Sequence, residues 1–211
     1  MDMDEGAVRY TQAVLVDDSQ SIHKGDFILE SDGGWHFSKG DEDVLETIDG
    51  KNRLITRSLQ NWHTHLAMQL NARDFSDGLH LEEWLQKSIF PTEKNLDPEM
   101  CSVGVKAAAA EMIRNGCSFA NDMYHFPEAI GPVLEKAGLR GIVSGPITNW
   151  PPSDDAETGE AKRRLQNLLS NQEKDSKVSY GVASHSVYTC SEETLLSGNE
   201  FADKYDSPLH I

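Results

Sequence analysis

Two hydrophobic rhythms divide the chain. Over residues 8–57, apolar and β-branched side chains recur in short alternating runs, the period of a half-buried strand. They predict strands over 8–16, 25–30, 35–38, 44–48 and 54–57, with Asp32-Gly33 and Asp49-Gly50 as hairpin-type turn signals. Residues 1–57 therefore read as a small β unit, a meander or part of a sandwich. His23 and His36 fall inside it as lone histidines, and each reads as a surface or packing residue.

After His65 the rhythm lengthens. Leu81, Trp84, Leu85 and Ile89 repeat at helical spacing until Pro91 interrupts them. Asp97-Pro98 has the form of an N-cap followed by proline at the first helical position. The helix it opens runs through the alanines at 107–110 to a stop at Asn115-Gly116. Further helices are predicted over 127–137, 161–171 and from a Thr189 or Ser191 cap to about 205, and 148–158 is a Pro- and Asp-rich loop. Strands near 59–63, 117–121, 139–144, 178–183 and 208–211 separate the helices. Five strands alternating with helices predict an α/β fold over residues 58–211, either an open doubly wound sheet or about the first five strands of an incomplete (β/α)8 TIM-type barrel. No Gly-rich phosphate loop follows any strand, so the nucleotide-binding open sheet lacks its signature.

Charge narrows the partners. Asp plus Glu number 35 and Lys plus Arg 19, a formal charge of −16. Nucleic acid and anionic membrane are attracted by clustered cations, so neither is an expected partner. Cys101, Cys117 and Cys190 are odd in number and form no CxxC pair, which points to a reducing, cytoplasmic compartment. The stretch Met1-Asp2-Met3-Asp4-Glu5 has neither the basic nor the apolar region of a signal peptide.

The chemistry begins at Asn61-Trp62-His63-Thr64-His65. Side chains two apart on a strand share a face, so His63 and His65 present two imidazoles side by side, a start on a zinc site that usually needs three protein ligands. In a (β/α)8 barrel the active site lies at the carboxyl ends of the strands. Asn121 and Asp122 end the second strand of this set and His185 the fourth; Glu93 follows the break at Pro91. Taken singly, Glu93 reads as a surface carboxylate, His185 as a hydrogen-bonded interior histidine, Asp122 as a cap, and His80 and His125 as loop or surface residues.

Three segments in order alter that reading: Asn61-Trp62-His63-Thr64-His65-Leu66-Ala67-Met68, then Leu81 to Leu85 with Ile89-Phe90-Pro91-Thr92-Glu93, then Ser184-His185-Ser186-Val187-Tyr188-Thr189-Cys190-Ser191. Together they resemble the amidohydrolase superfamily, in the branch of the methylthioadenosine/S-adenosylhomocysteine deaminases and related chlorohydrolases. The resemblance implies a metal-dependent hydrolase of carbon–nitrogen bonds, with Zn2+ or alternatively Fe2+ as cofactor. The reaction it implies is hydrolytic deamination of an aminated heteroaromatic ring, or dechlorination. His63 and His65 match the first two metal ligands, and Glu93 and His185 match substrate-binding positions. Leu209-His210-Ile211 matches the opening of the segment that carries the third ligand histidine and, three residues later, the general-acid Glu. The resemblance thus places that ligand and the general acid beyond Ile211, leaving no catalytic acid within the chain, which is expected to be inactive by itself. It implies a homo-oligomer and a small-molecule substrate, while Ser144-Gly145-Pro146 stands where some relatives carry an arginine for a substrate carboxylate. The alternative is a non-catalytic truncated homologue that serves as a binding or pairing module.

Overall fold

A computed structural model describes residues 6–71, 78–147 and 159–211, with the side chain of Asn71 left out. The Pro- and Asp-rich loop expected over 148–158 lies outside the described residues. The chain divides into two compact units, Met1–Ser58 and Leu59–Ile211.

The first unit is one five-stranded sheet: β1 (Val8–Val16), β2 (Ile22–Leu29), β3 (Trp35–Phe37), β4 (Glu46–Asp49) and β5 (Leu54–Ile55). The meander expectation holds for β1–β2–β3, which pair antiparallel, and fails beyond it. Strands β4 and β5 do not pair with each other across Asp49-Gly50. Both lie parallel to β1, one along Val8–Thr11 and the other along Val14–Leu15. A bulge between Tyr10 and Ala13, with Gln12 at φ 54°, separates the two partners. The Gly50 N–H donates to the Thr11 carbonyl at 2.7 Å there, and a Cβ on Gly50 would lie 2.6 Å from that of Ala13. Only glycine lets the turn cross the bulge this closely. Ala13, Leu15 and Phe27 form the buried centre, with Trp35 packed against them. His23 bonds Asp17 at 2.8 Å and His36 bonds Glu30 at 3.1 Å, both packing roles.

The second unit is a parallel sheet with helices. Its strands are β6 (Leu59–Thr64), β7 (Cys117–Met123), β8 (Arg140–Pro146), β9 (Val178–Ala183) and β10 (Leu209–His210). Each pairs in parallel with the next in sequence. Between β6 and β7 come α1 (Met68–Asn71), α2 (Leu81–Trp84), a π turn (Leu85–Ile89), α3 (Phe90–Glu93) and α4 (Pro98–Arg114). The later connections are α5 (Pro127–Lys136), α6 (Glu160–Asn171) and α7 (Glu192–Lys204). Asp97 caps α4 by accepting from the Met100 N–H at 2.8 Å, and Ser191 caps α7 through the Thr194 N–H. Val105, Ala108, Ala109, Ile130 and Leu134 bury the helix faces against Ala120, Val143 and Val178 of the sheet. A second cluster, including Leu165, Leu169, Val182 and Phe201, seals α6 and α7 against β9.

Pro91 does not end the helical run as its sequence predicts. Proline has no N–H for the carbonyl four residues back, and its ring crowds that carbonyl. The backbone widens instead of breaking: the Phe90 N–H reaches five residues back to the Leu85 carbonyl. The Thr92 hydroxyl then takes the Ser88 carbonyl at 2.7 Å. The run continues to Glu93 and turns that carboxylate inward, 7% exposed.

The sheet is strongly curled. In a flat five-stranded sheet the outermost strands stand about 19 Å apart, four times the strand spacing. Yet His63 on β6 and His210 on β10 are in hydrogen-bond contact at 2.8 Å. The carboxyl ends of the strands therefore converge on a common mouth, as in a partial (β/α) barrel.

Candidate active site

The end of β7 holds the histidine segment in place. Asn121 Nδ2 donates to the Trp62 carbonyl at 3.2 Å, just before His63. Asp122 Oδ1 accepts from the Leu66 N–H at 2.7 Å, just after His65. The Met123 carbonyl accepts from Nδ1 of His65, which lies between the two anchored positions, at 2.5 Å. A carbonyl can only accept, so Nδ1 carries the proton and Nε2 the lone pair, the tautomer that ligates through Nε2. Burial, the leading cause, lowers the His65 pKa and favours that neutral form. Asp122 is expected to cap the segment after β7. It is instead completely buried and points back to β6, and burial pushes its carboxyl up to about 7.

His63 and His65 stand side by side, as their spacing predicts, with ring centroids 5.1 Å apart. His63 is the more exposed and shares its Nδ1 with His210 Nε2. The fit to a metal is that of a half-site, with two imidazoles on one face and one of them tautomerically set. Among the described residues, no three His, Cys, Asp or Glu side chains gather as a metal-binding group.

Beside His65 opens a cavity of about 190 Å³. His65, Glu93 and His185 line it, three of the four residues singled out in the sequence, and His63 lies just outside its wall. Trp84, Leu85, Phe90 and Tyr188 supply apolar and aromatic walls. His185 stacks at 20° to His65 with centroids 6.4 Å apart, and its Nδ1 meets the Thr189 hydroxyl at 2.8 Å. Burial, ahead of the neighbouring His65, lowers the His185 pKa. Such a space takes a flat ring between apolar faces and offers polar contacts at its edge.

Two lining residues escape a reading by residue type. Tyr124 and His125 follow β7 directly and are 6% and 5% exposed. The expectation that His125 is a loop or surface residue fails because the turn after β7 folds into the mouth, where its Nε2 lies 3.6 Å from Glu93 Oε2. The Tyr124 hydroxyl is set beside the same carboxylate: burial first, and then the charge of Glu93, raise its pKa. The signal that finds them is position, since both occupy the carboxyl end of a barrel strand.

The family model described as the amidohydrolase family matches residues 54–211. A 5'-deoxyadenosine deaminase from Methanothermobacter thermautotrophicus is 33% identical over 99% of this chain and 49% of its own length. A 5-methylthioadenosine/S-adenosylhomocysteine deaminase from Thermodesulfovibrio yellowstonii is 37% identical over 72% of this chain and 34% of its own. This chain thus spans at most about half the length of these relatives. Among solved structures, a zinc-bound adenosine deaminase from Xanthomonas campestris is 25% identical, with a TM-score of 0.76 over 97% of this chain and 48% of that one. A guanine deaminase from C. acetobutylicum, 18% identical with a TM-score of 0.77 over 96% of this chain and 52% of that one, shares the fold. With the histidine pair, the cavity and the curled parallel sheet in these places, the chain belongs to the amidohydrolase family.

Proposed function

We propose that the chain carries half of the active site of a metal-dependent hydrolase that deaminates an aminated heteroaromatic ring, an adenosine-type nucleoside being the leading substrate. The observation that carries this reading is the convergence of His65, Glu93 and His185 on one apolar cavity, with His63 beside it. The names of the relatives support the nucleoside class. His63 and His65 would hold the metal, zinc in the Xanthomonas neighbour. Bound there, a divalent ion supplies Lewis acidity that activates water near neutral pH.

The chain's own residues supply orientation. Trp84, Phe90 and Tyr188 confine the ring and exclude bulk water. Glu93 would accept from an exocyclic N–H or a hydroxyl of the substrate, and His185, whose pKa burial lowers, would meet a ring nitrogen. Met123 keeps Nε2 of His65 as the ligating atom. We also propose that residues 58–211 are the amino-terminal part of a (β/α)8 barrel and residues 1–57 one part of a composite β-sandwich.

One observation favours a second reading, a non-catalytic binding module: His63 and His210 satisfy each other at 2.8 Å. Reading the coding sequence past Ile211 separates the two. A histidine followed three positions later by Glu supports the hydrolase, and a stop codon supports the module. Protein from the complete coding sequence should contain zinc and release ammonia from 5'-deoxyadenosine or adenosine, and His65→Ala should abolish both. Full zinc occupancy without turnover of any adenine, guanine, cytosine or triazine compound overturns the assignment.

A further inference from the structure

We propose that Tyr124 and His125 are positioning residues that clamp the Glu93 carboxylate, and that the turn Met123-Tyr124-His125 sets the spacing between His65 and Glu93. The inference rests on the reading of the cavity as a nucleoside site and adds residues to it. One short turn serves two functional groups. Its first residue takes the His65 ring through the Met123 carbonyl at 2.5 Å. Its second sets the Tyr124 hydroxyl beside Glu93, whose charge adds to burial in raising the phenol's pKa, and its third stands 3.6 Å from Glu93 Oε2 through His125 Nε2. The rings interlock as well, with His65–Tyr124 centroids 5.9 Å apart and Tyr124–His125 centroids 5.0 Å apart.

A carboxylate on an apolar wall needs partners, because an unpaired buried charge is strongly disfavoured. Glu93 ends α3, just past the widened π turn, and the Thr92 and Asn95 side chains bond their own helix backbone. Tyr124 and His125 are the residues that face Glu93 from across the cavity. They fix the carboxylate's torsion and leave lone pairs directed at a ligand N–H. A carboxylate so held loses little freedom when a ring binds, which raises affinity through preorganisation.

Two measurements on the 211-residue chain test this. The first needs no ligand. Proton NMR should show a downfield, slowly exchanging Tyr124 hydroxyl that vanishes in Tyr124→Phe and shifts in Glu93→Gln. The second is calorimetric titration with adenosine. Glu93→Gln should weaken binding by about tenfold, and Tyr124→Phe and His125→Gln by about threefold to tenfold each, the scale of a hydrogen bond to a charged group. Added to Glu93→Ala, neither should weaken binding further, since a clamp has no effect once its target is gone. Circular dichroism checks that each variant is folded. A hydroxyl resonance indifferent to Glu93→Gln, or losses that add in the double variants, overturns the clamp. If the 211-residue chain, with half of the site, binds no adenosine, the hydroxyl resonance decides the clamp alone, and the nucleoside reading is overturned only if protein from the complete coding sequence also fails to bind adenosine.

Discussion

At the scale of single residues, Asp122 is the most consequential side chain outside the cavity. Its carboxyl is fully buried and held up to about 7, with burial as the cause and the Leu66 N–H as a partial offset. For an acid whose folded pKa lies above its unfolded value, the folded state binds the extra proton between the two. Stability therefore falls as pH rises from about 4 to about 7 and stays lower above that. Asn keeps an acceptor for Leu66 and cannot ionise. Asp122→Asn should remove this slope and gain about 2–4 kcal/mol relative to the wild type on going from pH 4.5 to pH 8, read by urea unfolding at both values. A difference between the two proteins that does not change with pH refutes this account of the carboxylate.

Two elements set the site's geometry through backbone packing. Gly104 of α4 lies against the turn after His65, where an added Cβ would stand 2.2 Å from the Ala67 carbonyl. Gly104→Ala should cost about 1–3 kcal/mol, the usual scale of overpacking, seen as a lower urea midpoint with an unchanged slope. The π turn before Pro91 acts differently. Pro91→Ala restores the missing N–H, so an ordinary helical turn becomes available and Glu93 rotates away from Tyr124. Adenosine affinity should fall by about tenfold with stability unchanged or raised, a pairing that simple damage to the fold does not produce. The elements differed in how far the sequence disclosed them. Short β-prone runs alternating with helical stretches located every strand of the second unit, and the Asp97-Pro98 cap located the long helix after it. The π turn was hidden because proline signals a missing donor and leaves open whether the backbone breaks or widens. The parallel returns of β4 and β5 were hidden because they depend on a bulge in β1.

For the molecule as a whole, the open edges of the curled sheet matter most. Among the described residues β6 pairs only with β7 and β10 only with β9. On β6, Leu59 is 66% exposed and Trp62 60%. Unpaired, apolar strand edges promote association. Sedimentation velocity of the 211-residue chain should show concentration-dependent self-association, and Leu59→Lys with Trp62→Lys should weaken it by at least about tenfold. A monomer at all concentrations contradicts this. At the same scale the candidate site was half legible. His63 and His65 announce themselves by their spacing on a strand, and Glu93, at the end of α3, and His185, just after β9, by resemblance. Tyr124 and His125 do not, because their role depends on a turn reaching Glu93 across the cavity.

The contact between His63 and His210 also bears on how the chain assembles. Each strand of the second unit pairs with its sequence neighbour, so the sheet can grow one βα unit at a time, the longest closure being that between β6 and β7. The two histidines are 147 residues apart and meet only when all four pairings and the full curl are in place. Their bond is thus a natural end-point marker for folding: in a refolding experiment the ring resonances of His63 and His210 should be the last to reach their native positions.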